Sequence, residues 1–258
     1  MSEGSVRLTI EGPLASVVFD RPEARNAMTW AMYQQLGAIC AQLRGDASIR
    51  VASFRGAGGQ AFVAGTDIEQ FKAFANDDAG IDYERQIDAG IERLETLPMP
   101  TVAVVEGWAV GGGLAIATAC DIRIATPTAR FGVPIAKTLG NCLSAANLAR
   151  LVAAFGRPRV QRMLIGAEIL GADEALACGY LAQQVEADGI DAAVKNLCEH
   201  LAGLAPVTQA VTKEALRRLL LRDLPDVQDL IRRTYGSEDF REGVAAFSEK
   251  RKPVWRGR

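Results

Sequence analysis

The chain has 258 residues, of which 49% are apolar and 23% are charged, and its formal net charge is −2. This composition is typical of globular proteins and excludes an intrinsically disordered chain, while the near-neutral charge excludes a nucleic-acid-binding surface over the whole chain. One histidine, His200, and five cysteines without a CxxC spacing argue against a zinc site. Because no GxSxG motif accompanies His200, we interpret it as a helix-surface residue rather than a catalytic base.

The N-terminal segment and the cysteines predict the cellular compartment. The first twelve residues, MSEGSVRLTIEG, contain no apolar core of a secretory signal, and no apolar run reaches the length of a membrane span. Scattered cysteines in odd number are typical of a reducing environment. We therefore expect a cytoplasmic protein that partners with neither membranes nor nucleic acid.

Charge is distributed unevenly along the chain. Residues 250–258 contain five basic side chains and no acidic one, so residues 1–249 carry 24 basic against 31 acidic side chains, a net charge of −7. This basic tail is either a solvated terminus or a local anion site, and charge alone does not choose between them.

The first half of the chain alternates between strand and helix patterns. Period-two or continuous apolar runs predict strands at Ser5–Glu11, 14–19, 51–54, Thr101–Val105 and Ile122–Ala125. Helical spacing predicts helices at 29–43 with Thr29 as its cap, at about 68–75, at 83–97 and at 114–120, with a loop at 107–113. Strands separated by helices favour an α/β fold with a parallel sheet.

Beyond residue 143 the strand signals nearly vanish and apolar residues recur at helical spacing. A short strand at Val185 is the last one predicted. We therefore divide the chain into a core, residues 1–200, and a helical C-terminal region, residues 201–258.

Two glycine-containing turns are the candidates for chemistry. AFVAGTDI at 61–68 and EGWAVGGGLAIA at 106–117 each lie between a predicted buried strand and a helix. Backbone N–H groups at such helix starts are available to an anion. Either turn alone is a weak signal that more often reflects packing than function, and neither matches a GxGxxG or a GK[ST] phosphate loop.

Taken together, five motifs in order are more specific. The chain reads RPEARNAM at 21–28, GQAFVAGTDI at 59–68, VEGWAVGGGLAIATACDIRIA at 105–125, FGVP at 131–134 and SEDFREGVAAFSEKRKPVWRGR at 237–258. This series resembles the enoyl-CoA hydratase/isomerase (crotonase) superfamily over essentially the whole chain. The resemblance implies a spiral ββα core with the acyl-CoA pocket and an α-helical C-terminal region that builds homotrimers or dimers of trimers.

The resemblance also implies a site. Backbone N–H groups of Ala64 and Gly112 would hold the thioester oxygen, stabilising the enolate that forms there. Coenzyme A would enter as part of an acyl-CoA thioester substrate, with no permanently bound cofactor and no metal. The residues expected to contact it are Arg25, Ala27, Gly65, Thr66, Asp67, Ile68, Phe247 and Lys250. The basic tail would then supply positive charge near the CoA phosphates.

The chain departs from the family pattern at two positions. Hydratases of the family carry glutamates two residues after the GGG run and directly after the FGxP proline, where this chain has Ala115 and Ile135. Neither side chain can transfer a proton. Hydration by the two-glutamate mechanism is therefore not expected, nor is isomerisation that relies on the second glutamate.

Two segments offer another acid or base. Asn141 and Cys142 precede a predicted helix, where the dipole favours a thiolate; the alternative is a cap residue and a buried filler. Glu84 and Asp88 recur with Glu92 along one helix face. If one of the three points into the pocket, Asp88 or Glu84 is the better candidate; the alternative is that the whole face is a solvated acidic surface.

Two functions follow. The first is an acyl-CoA enzyme of the lyase or isomerase type that stabilises a thioester enolate and uses an acid or base other than the two glutamates. Double-bond isomerisation, decarboxylation, C–C cleavage and hydration by an unusual residue are then within reach. The second is a catalytically inactive CoA-binding or assembly protein. We favour the first because both glycine turns are retained.

Overall fold

A computed structural model describes residues 3–73 and 78–258. The last residues of the helix predicted at 68–75 therefore lie outside the described part. Within it, no helix is both long enough and apolar enough to cross a lipid bilayer.

The described residues form ten strands, eleven α-helices and two short 3-10 helices. The strands are β1 (Ser5–Glu11), β2 (Leu14–Asp20), β3 (Val51–Gly56), β4 (Ala61–Ala64), β5 (Thr101–Val105), β6 (Trp108–Val110), β7 (Ile122–Ala125), β8 (Arg130–Gly132), β9 (Ile169–Gly171) and β10 (Gln183–Gln184). The helices are α1 (Trp30–Gly45), α2 (Asp78–Glu95), α3 (Gly112–Ala119), α4 (Ile135–Thr138), α5 (Ala145–Phe155), α6 (Arg157–Leu164), α7 (Ala172–Ala177), α8 (Ile190–Ala202), α9 (Pro206–Leu220), α10 (Gln228–Tyr235) and α11 (Glu238–Ser248). The 3-10 helices span Pro22–Ala24 and Ile68–Ala73.

The strands form two sheets. In the larger sheet the order is β1-β2-β3-β5-β7-β10, with β1 and β2 antiparallel and the other pairs parallel. In the smaller sheet the order is β4-β6-β8-β9, with β4, β6 and β8 parallel and β9 antiparallel. Successive turns of the chain therefore place one strand in each sheet, and the predicted α/β class is confirmed.

Side-chain caps fix the start of three helices. Thr29, Ser144 and Ser237 each accept a hydrogen bond from the backbone N–H three residues later, at the starts of α1, α5 and α11. Such caps satisfy one of the N–H groups that a helix start leaves without a partner. The prediction that Thr29 caps a helix is confirmed.

Apolar side chains collect in two cores. The larger core lies among the sheets and most of the helices and includes Phe19, Phe54, Phe62 and Phe131, all fully buried. The smaller core lies between the larger sheet and α8. Its members are Val51, Val102, Val104, Ile124, Ile190, Cys198 and Leu201. The continuous apolar run of β5 is explained by this arrangement, because all five of its residues are buried.

One sequence prediction needs correction. The segment 107–113 is not a loop throughout, since Trp108–Val110 forms β6; a three-residue strand next to glycines has no readable period. Residue 200, at which the sequence divides the chain, lies inside α8, and the division into two regions stays a prediction. His200 is exposed on α8, as predicted.

The arginines of the basic tail are paired with carboxylates of α11 and of the residue that follows it. Arg251 pairs with Glu242 and with Glu249, and Arg256 and Arg258 both pair with Glu238. These contacts fold the tail back on its own helix. The three arginines of the tail are therefore compensated locally, and the choice between a solvated terminus and a local anion site stays open.

Asn26 ties the segment before α1 to the strands beside it. It is fully buried and has φ +58°, a conformation that asparagine tolerates better than most residues. Its Oδ1 accepts from Arg21 N at 2.9 Å, and its Nδ2 donates to the carbonyls of Ala57 and Ala61 at 2.9 and 2.8 Å. One side chain thus satisfies three buried backbone groups.

Replacement of Asn26 by alanine removes those three partners. We expect the free energy of unfolding to fall by about 3 kcal/mol or more, since each buried polar group left unsatisfied costs about 1–3 kcal/mol. Urea denaturation measures the loss. The exposed Asn196 on α8 is the matched control, and equal stability of the Asn26→Ala and Asn196→Ala variants would contradict this role.

Candidate active site

The turn after β4 is held by the segment before α1. Met28 N–H donates to Gly65 O at 2.9 Å, and Asp67 N–H donates to Met28 O at 2.8 Å, so that Met28 and Thr66 form a parallel bridge. A buried arginine reinforces the contact, because Arg21 donates to Asp67 Oδ2 at 2.7 Å and to Ala27 O at 3.2 Å. The two segments that the motifs singled out therefore form one rigid unit.

Ala64 does not have the free N–H group that the resemblance implied. Its N–H donates to the carbonyl of Arg25 at 3.0 Å. A backbone N–H offers one hydrogen, so this donor is already used within the protein. The assignment of Ala64 therefore does not hold, and the available donor must lie elsewhere on the turn.

Thr66 supplies the N–H group that Ala64 cannot. Its bridge to Met28 uses the flanking groups of Gly65 and Asp67 and leaves Thr66 N–H without an acceptor in the described part of the chain. Gly112, the first residue of α3, likewise has an N–H with no acceptor among the described residues. A β-carbon built on Gly112 would lie 3.7 Å from Thr66 N, so the two donors are neighbours.

The N-terminus of α3 can approach this turn because Gly113 has no side chain. A β-carbon on Gly113 would lie 1.9 Å from Val63 O, closer than any real contact. The glycine run therefore serves two purposes: it allows α3 to pack against β4, and it exposes the N–H of Gly112. The role that the sequence predicted for the N–H of Gly112 stays a prediction.

The residues expected to contact coenzyme A fall into two neighbouring groups. The first group lies on the unit built by the turn and the preceding segment and comprises Arg25, Ala27, Gly65, Thr66, Asp67 and Ile68. Arg25 is exposed. The second group lies at the end of α11, where the Phe247 side chain is 52% exposed and Lys250 follows the helix. α11 packs on the 3-10 helix that starts at Ile68. Ser248 Oγ donates to Glu69 Oε1 at 3.4 Å, so the two groups adjoin.

Ala115 and Ile135 occupy the positions where the family pattern has glutamates. Ala115 lies on the first turn of α3, with its N–H donating to Gly111 O, and Ile135 is the first residue of α4. Both are half-buried and pack against the larger core. These positions therefore present only methyl and methylene groups.

Glu84 turns inward from α2. The residue is 3% exposed; its Oε1 accepts from Tyr235 Oη at 2.6 Å, and its Oε2 accepts from Ser144 N–H at 3.0 Å. Burial raises the pKa of Glu84 to about 7, although both hydrogen bonds act to lower it. The expectation that Glu84 or Asp88 points inward is met by Glu84, which links α2, α10 and the start of α5.

Asp88 lies one turn further along α2 beside the same serine. Ser144 Oγ donates to Asp88 Oδ1 at 2.8 Å, and the buried Arg150 guanidinium lies 3.8 Å from that oxygen. Burial raises the pKa of the Asp88 carboxyl, which the hydrogen bond from Ser144 and the charge of Arg150 oppose. Glu92, the third acid of the series, is 59% exposed, so the face is buried at one end and solvated at the other.

Asn141 and Cys142 lie in the loop before α5. Asn141 Nδ2 donates to Tyr235 Oη at 3.4 Å, and its buried Oδ1 has no hydrogen-bond partner among the described residues. Burial raises the pKa of the Cys142 thiol to about 11, so it stays neutral at pH 7. The structure thus brings Glu84 and Asn141 together on Tyr235 Oη, and it favours the filler interpretation of Cys142.

Sequence reasoning missed a cluster of hydroxyl groups beside the two N–H groups. Tyr33 Oη lies 2.9 Å from Thr66 Oγ1, which lies 3.1 Å from Tyr83 Oη. A β-carbon on Gly112 would lie 2.7 Å from Tyr33 Oη and 3.1 Å from Thr66 Oγ1. The three residues are separated by 33 and 17 positions in the chain, so no local motif signals the cluster.

Comparisons with known proteins extend over the whole chain. The sequence model for the enoyl-CoA hydratase/isomerase family matches residues 9–258. The chain is 32% identical to a short-chain-enoyl-CoA hydratase of Clostridium acetobutylicum, over 98% of this chain and 97% of that protein. It is 33% identical to a carnitinyl-CoA dehydratase of Proteus mirabilis, over 98% and 99%. A structure of methylmalonyl-CoA decarboxylase with 2-nitronate-propionyl-CoA superposes with a TM-score of 0.90 at 27% identity, covering 98% of each chain.

The raised pKa of Glu84 predicts a pH-dependent contribution to stability. A carboxyl with a pKa of about 7 in the folded state and 4.5 in its ordinary state binds a proton more tightly when the protein is folded. Its contribution is fully present below pH 4.5 and is lost as the pH rises through 7, a change of about 3 kcal/mol. We expect Glu84→Gln to gain that amount relative to the wild type between pH 4.5 and 8, in urea unfolding.

Glu92→Gln, on the solvated end of the same helix face, serves as the control and should keep the wild-type pH dependence. Wild type and Glu84→Gln with parallel stability curves across this window would contradict the burial of an ionisable Glu84.

Proposed function

Because the chain belongs to the enoyl-CoA hydratase/isomerase family, also called the crotonase superfamily, we propose that it is an acyl-CoA enzyme that stabilises a thioester enolate. Its donors are the backbone N–H groups of Thr66 and Gly112, with Thr66 in the role that the sequence had given to Ala64. Its substrate is an acyl-CoA thioester, and coenzyme A is present only as part of that substrate.

The pair of unused N–H groups is the observation that carries this proposal. Two neighbouring main-chain donors at a rigid turn and a helix N-terminus are ready to bind one oxygen that becomes negative during the reaction. Neither donor reorganises when charge develops, because α3 and the turn are fixed by Gly113 and by the Arg21–Asp67 ion pair. Loss of one such donor typically costs about 100- to 1,000-fold in kcat.

The reaction that this site favours is decarboxylation of a 2-carboxyacyl-CoA of the malonyl type. Hydration and isomerisation both need a base to move protons, and Ala115 and Ile135 offer none. Cleavage of the bond to a carboxylate needs no base, because the electron pair of that bond becomes the enolate as CO2 leaves. The likeness to methylmalonyl-CoA decarboxylase supports this choice.

The surroundings of the site are consistent with binding coenzyme A. We propose that the moiety crosses the exposed Arg25 and the turn at residues 65–68 and is covered by Phe247 and Lys250 of the α11 end. We also propose a homotrimer or a dimer of trimers. In support, α9 has no buried residue and exposes Val207, Val211, Leu216 and Leu219.

A catalytically inactive CoA-binding protein remains the second candidate. It is favoured by the loss of both glutamate positions and by the full engagement of Glu84 with Tyr235 and Ser144. Against it stands the pair of N–H groups, since pure binding of coenzyme A gives no reason to leave two donors unused beside the acyl position.

Incubation with malonyl-, enoyl- and dienoyl-type CoA thioesters in deuterated water separates these functions. We expect release of CO2 from the malonyl-type members and deuterium at the α-carbon of the product. Binding without turnover or exchange across the panel would contradict the enolate mechanism and support the binding protein. Turnover of enoyl-type members alone would contradict decarboxylation.

Gly112→Ala tests the space in front of the N–H pair. The variant keeps the backbone N–H of residue 112, but its new β-carbon enters the space 2.7 Å from Tyr33 Oη. We therefore expect kcat to fall by about 100-fold or more. Gly45→Ala, at an exposed helix end with nothing within 4 Å of the new carbon, is the matched control. Wild-type activity in Gly112→Ala would place the chemistry elsewhere.

A further inference from the structure

Tyr33 is a half-buried residue whose hydroxyl group the proposed reaction has not yet used. It lies on α1, one turn after the cap at Thr29, and its Oη is 2.9 Å from Thr66 Oγ1. A β-carbon on Gly112 would be 2.7 Å from that Oη. The hydroxyl therefore borders the space in front of both N–H donors.

We propose that Tyr33 is the proton donor to the α-carbon of the enolate, the acid that replaces the two absent glutamates. The inference rests on the proposed function and adds to it the group that completes the reaction.

Position is the first argument. An oxygen held by the N–H groups of Thr66 and Gly112 fixes the carbonyl carbon beside Gly112, and the α-carbon is the next atom along the acyl group. A general acid must reach the reacting atom within hydrogen-bond distance. Among the hydroxyl groups of the cluster, that of Tyr33 approaches the Gly112 position most closely, ahead of Thr66 Oγ1 at 3.1 Å.

The state of the hydroxyl is the second argument. Burial raises the pKa of Tyr33 to about 12, and the hydrogen bond with Thr66 offsets only part of that rise. Tyr33 therefore carries its proton at pH 7 and acts as an acid, never as a base in the resting enzyme. This matches a reaction that makes its enolate by loss of CO2 and then needs only a proton.

Orientation is the third argument. The Tyr33 ring packs against Trp30, with 5.8 Å between ring centroids. Thr66 Oγ1 bridges the hydroxyls of Tyr33 and Tyr83. The Tyr33 proton is directed out of the cluster when Thr66 Oγ1 donates to Tyr33 Oη and Tyr83 Oη donates to Thr66 Oγ1, which is the arrangement that the proposal requires.

In the proposed reaction, the bond between the α-carbon and the carboxylate breaks and CO2 leaves. The electron pair of that bond forms the enolate, whose oxygen accepts hydrogen bonds from the N–H groups of Thr66 and Gly112. The O–H bond of Tyr33 then breaks as its proton forms the new C–H bond and the thioester carbonyl is restored. Water returns a proton to the Tyr33 phenolate, so that one proton is consumed from solvent for each CO2 released.

Tyr33→Phe tests the inference with methylmalonyl-CoA in deuterated water. The variant retains the ring and removes the hydroxyl. We expect kcat to fall by about 100-fold, in the range typical of general acid catalysis, while KM changes less than about twofold. Wild type should give one stereoisomer of 2-deuteriopropionyl-CoA and Tyr33→Phe a mixture, because solvent then delivers the deuteron from either face.

Two further variants separate the acid from a structural role. Thr66→Val retains the backbone N–H and removes the partner of Tyr33, so it should lower kcat and stereoselectivity in the same direction. Tyr180→Phe removes a hydroxyl that is bonded to Thr118 at 3.0 Å outside the site, and it should keep wild-type kcat and stereochemistry.

The outcomes are distinguishable. An active wild type together with an equally fast, or equally stereoselective, Tyr33→Phe overturns the role of Tyr33 alone. A wild type that binds methylmalonyl-CoA without decarboxylating it overturns the proposed function and this inference with it.

Discussion

The architecture of the site depends on one close contact, the packing of Gly113 against the carbonyl of Val63. No residue with a β-carbon fits there, because that atom would lie 1.9 Å from the oxygen. The contact brings the start of α3 against the end of β4, so the N–H of Gly112 comes beside that of Thr66. The bridge between Met28 and Thr66 and the ion pair of the buried Arg21 with Asp67 then hold the turn. A rigid pair of donors follows from backbone geometry rather than from any catalytic side chain.

Around this pair the side chains divide into two groups with different tasks. Tyr33, Thr66 and Tyr83 bring hydroxyl groups to the donors, and burial keeps the proton on Tyr33. Glu84 and Asp88 are hydrogen-bonded in a network with Ser144 and Tyr235, beside Arg150, which joins α2 to α10. The acids that the sequence offered as proton carriers thus hold helices together, and we propose the hydroxyl cluster as the proton source.

Much of the fold is readable from local pattern. The alternation of β1, the continuous apolar run of β5 and the cap at Thr29 each follow from side-chain period or hydrogen bonding within a few residues. The smaller sheet cannot be predicted from the sequence, because β6 and β8 have three residues each, too few to show an alternation of apolar and polar side chains. In the site, the role predicted for the N–H of Gly112 stays a prediction, whereas the N–H of Ala64 donates to the carbonyl of Arg25, a tertiary contact that the sequence does not show. Tyr33 carries no signal in sequence for the same reason.

The central claim is that Thr66 and Gly112 bind an enolate more tightly than a thioester. Isothermal titration of 2-nitronate-propionyl-CoA against propionyl-CoA measures this preference, because the anion shares its negative charge between the nitro oxygens and the thioester oxygen. Enzymes bind such analogues at least about 100-fold more tightly than substrates. We expect the wild type to prefer the nitronate by about that factor and Gly112→Ala to lose this preference. Equal affinities of the wild type for the two compounds would contradict it.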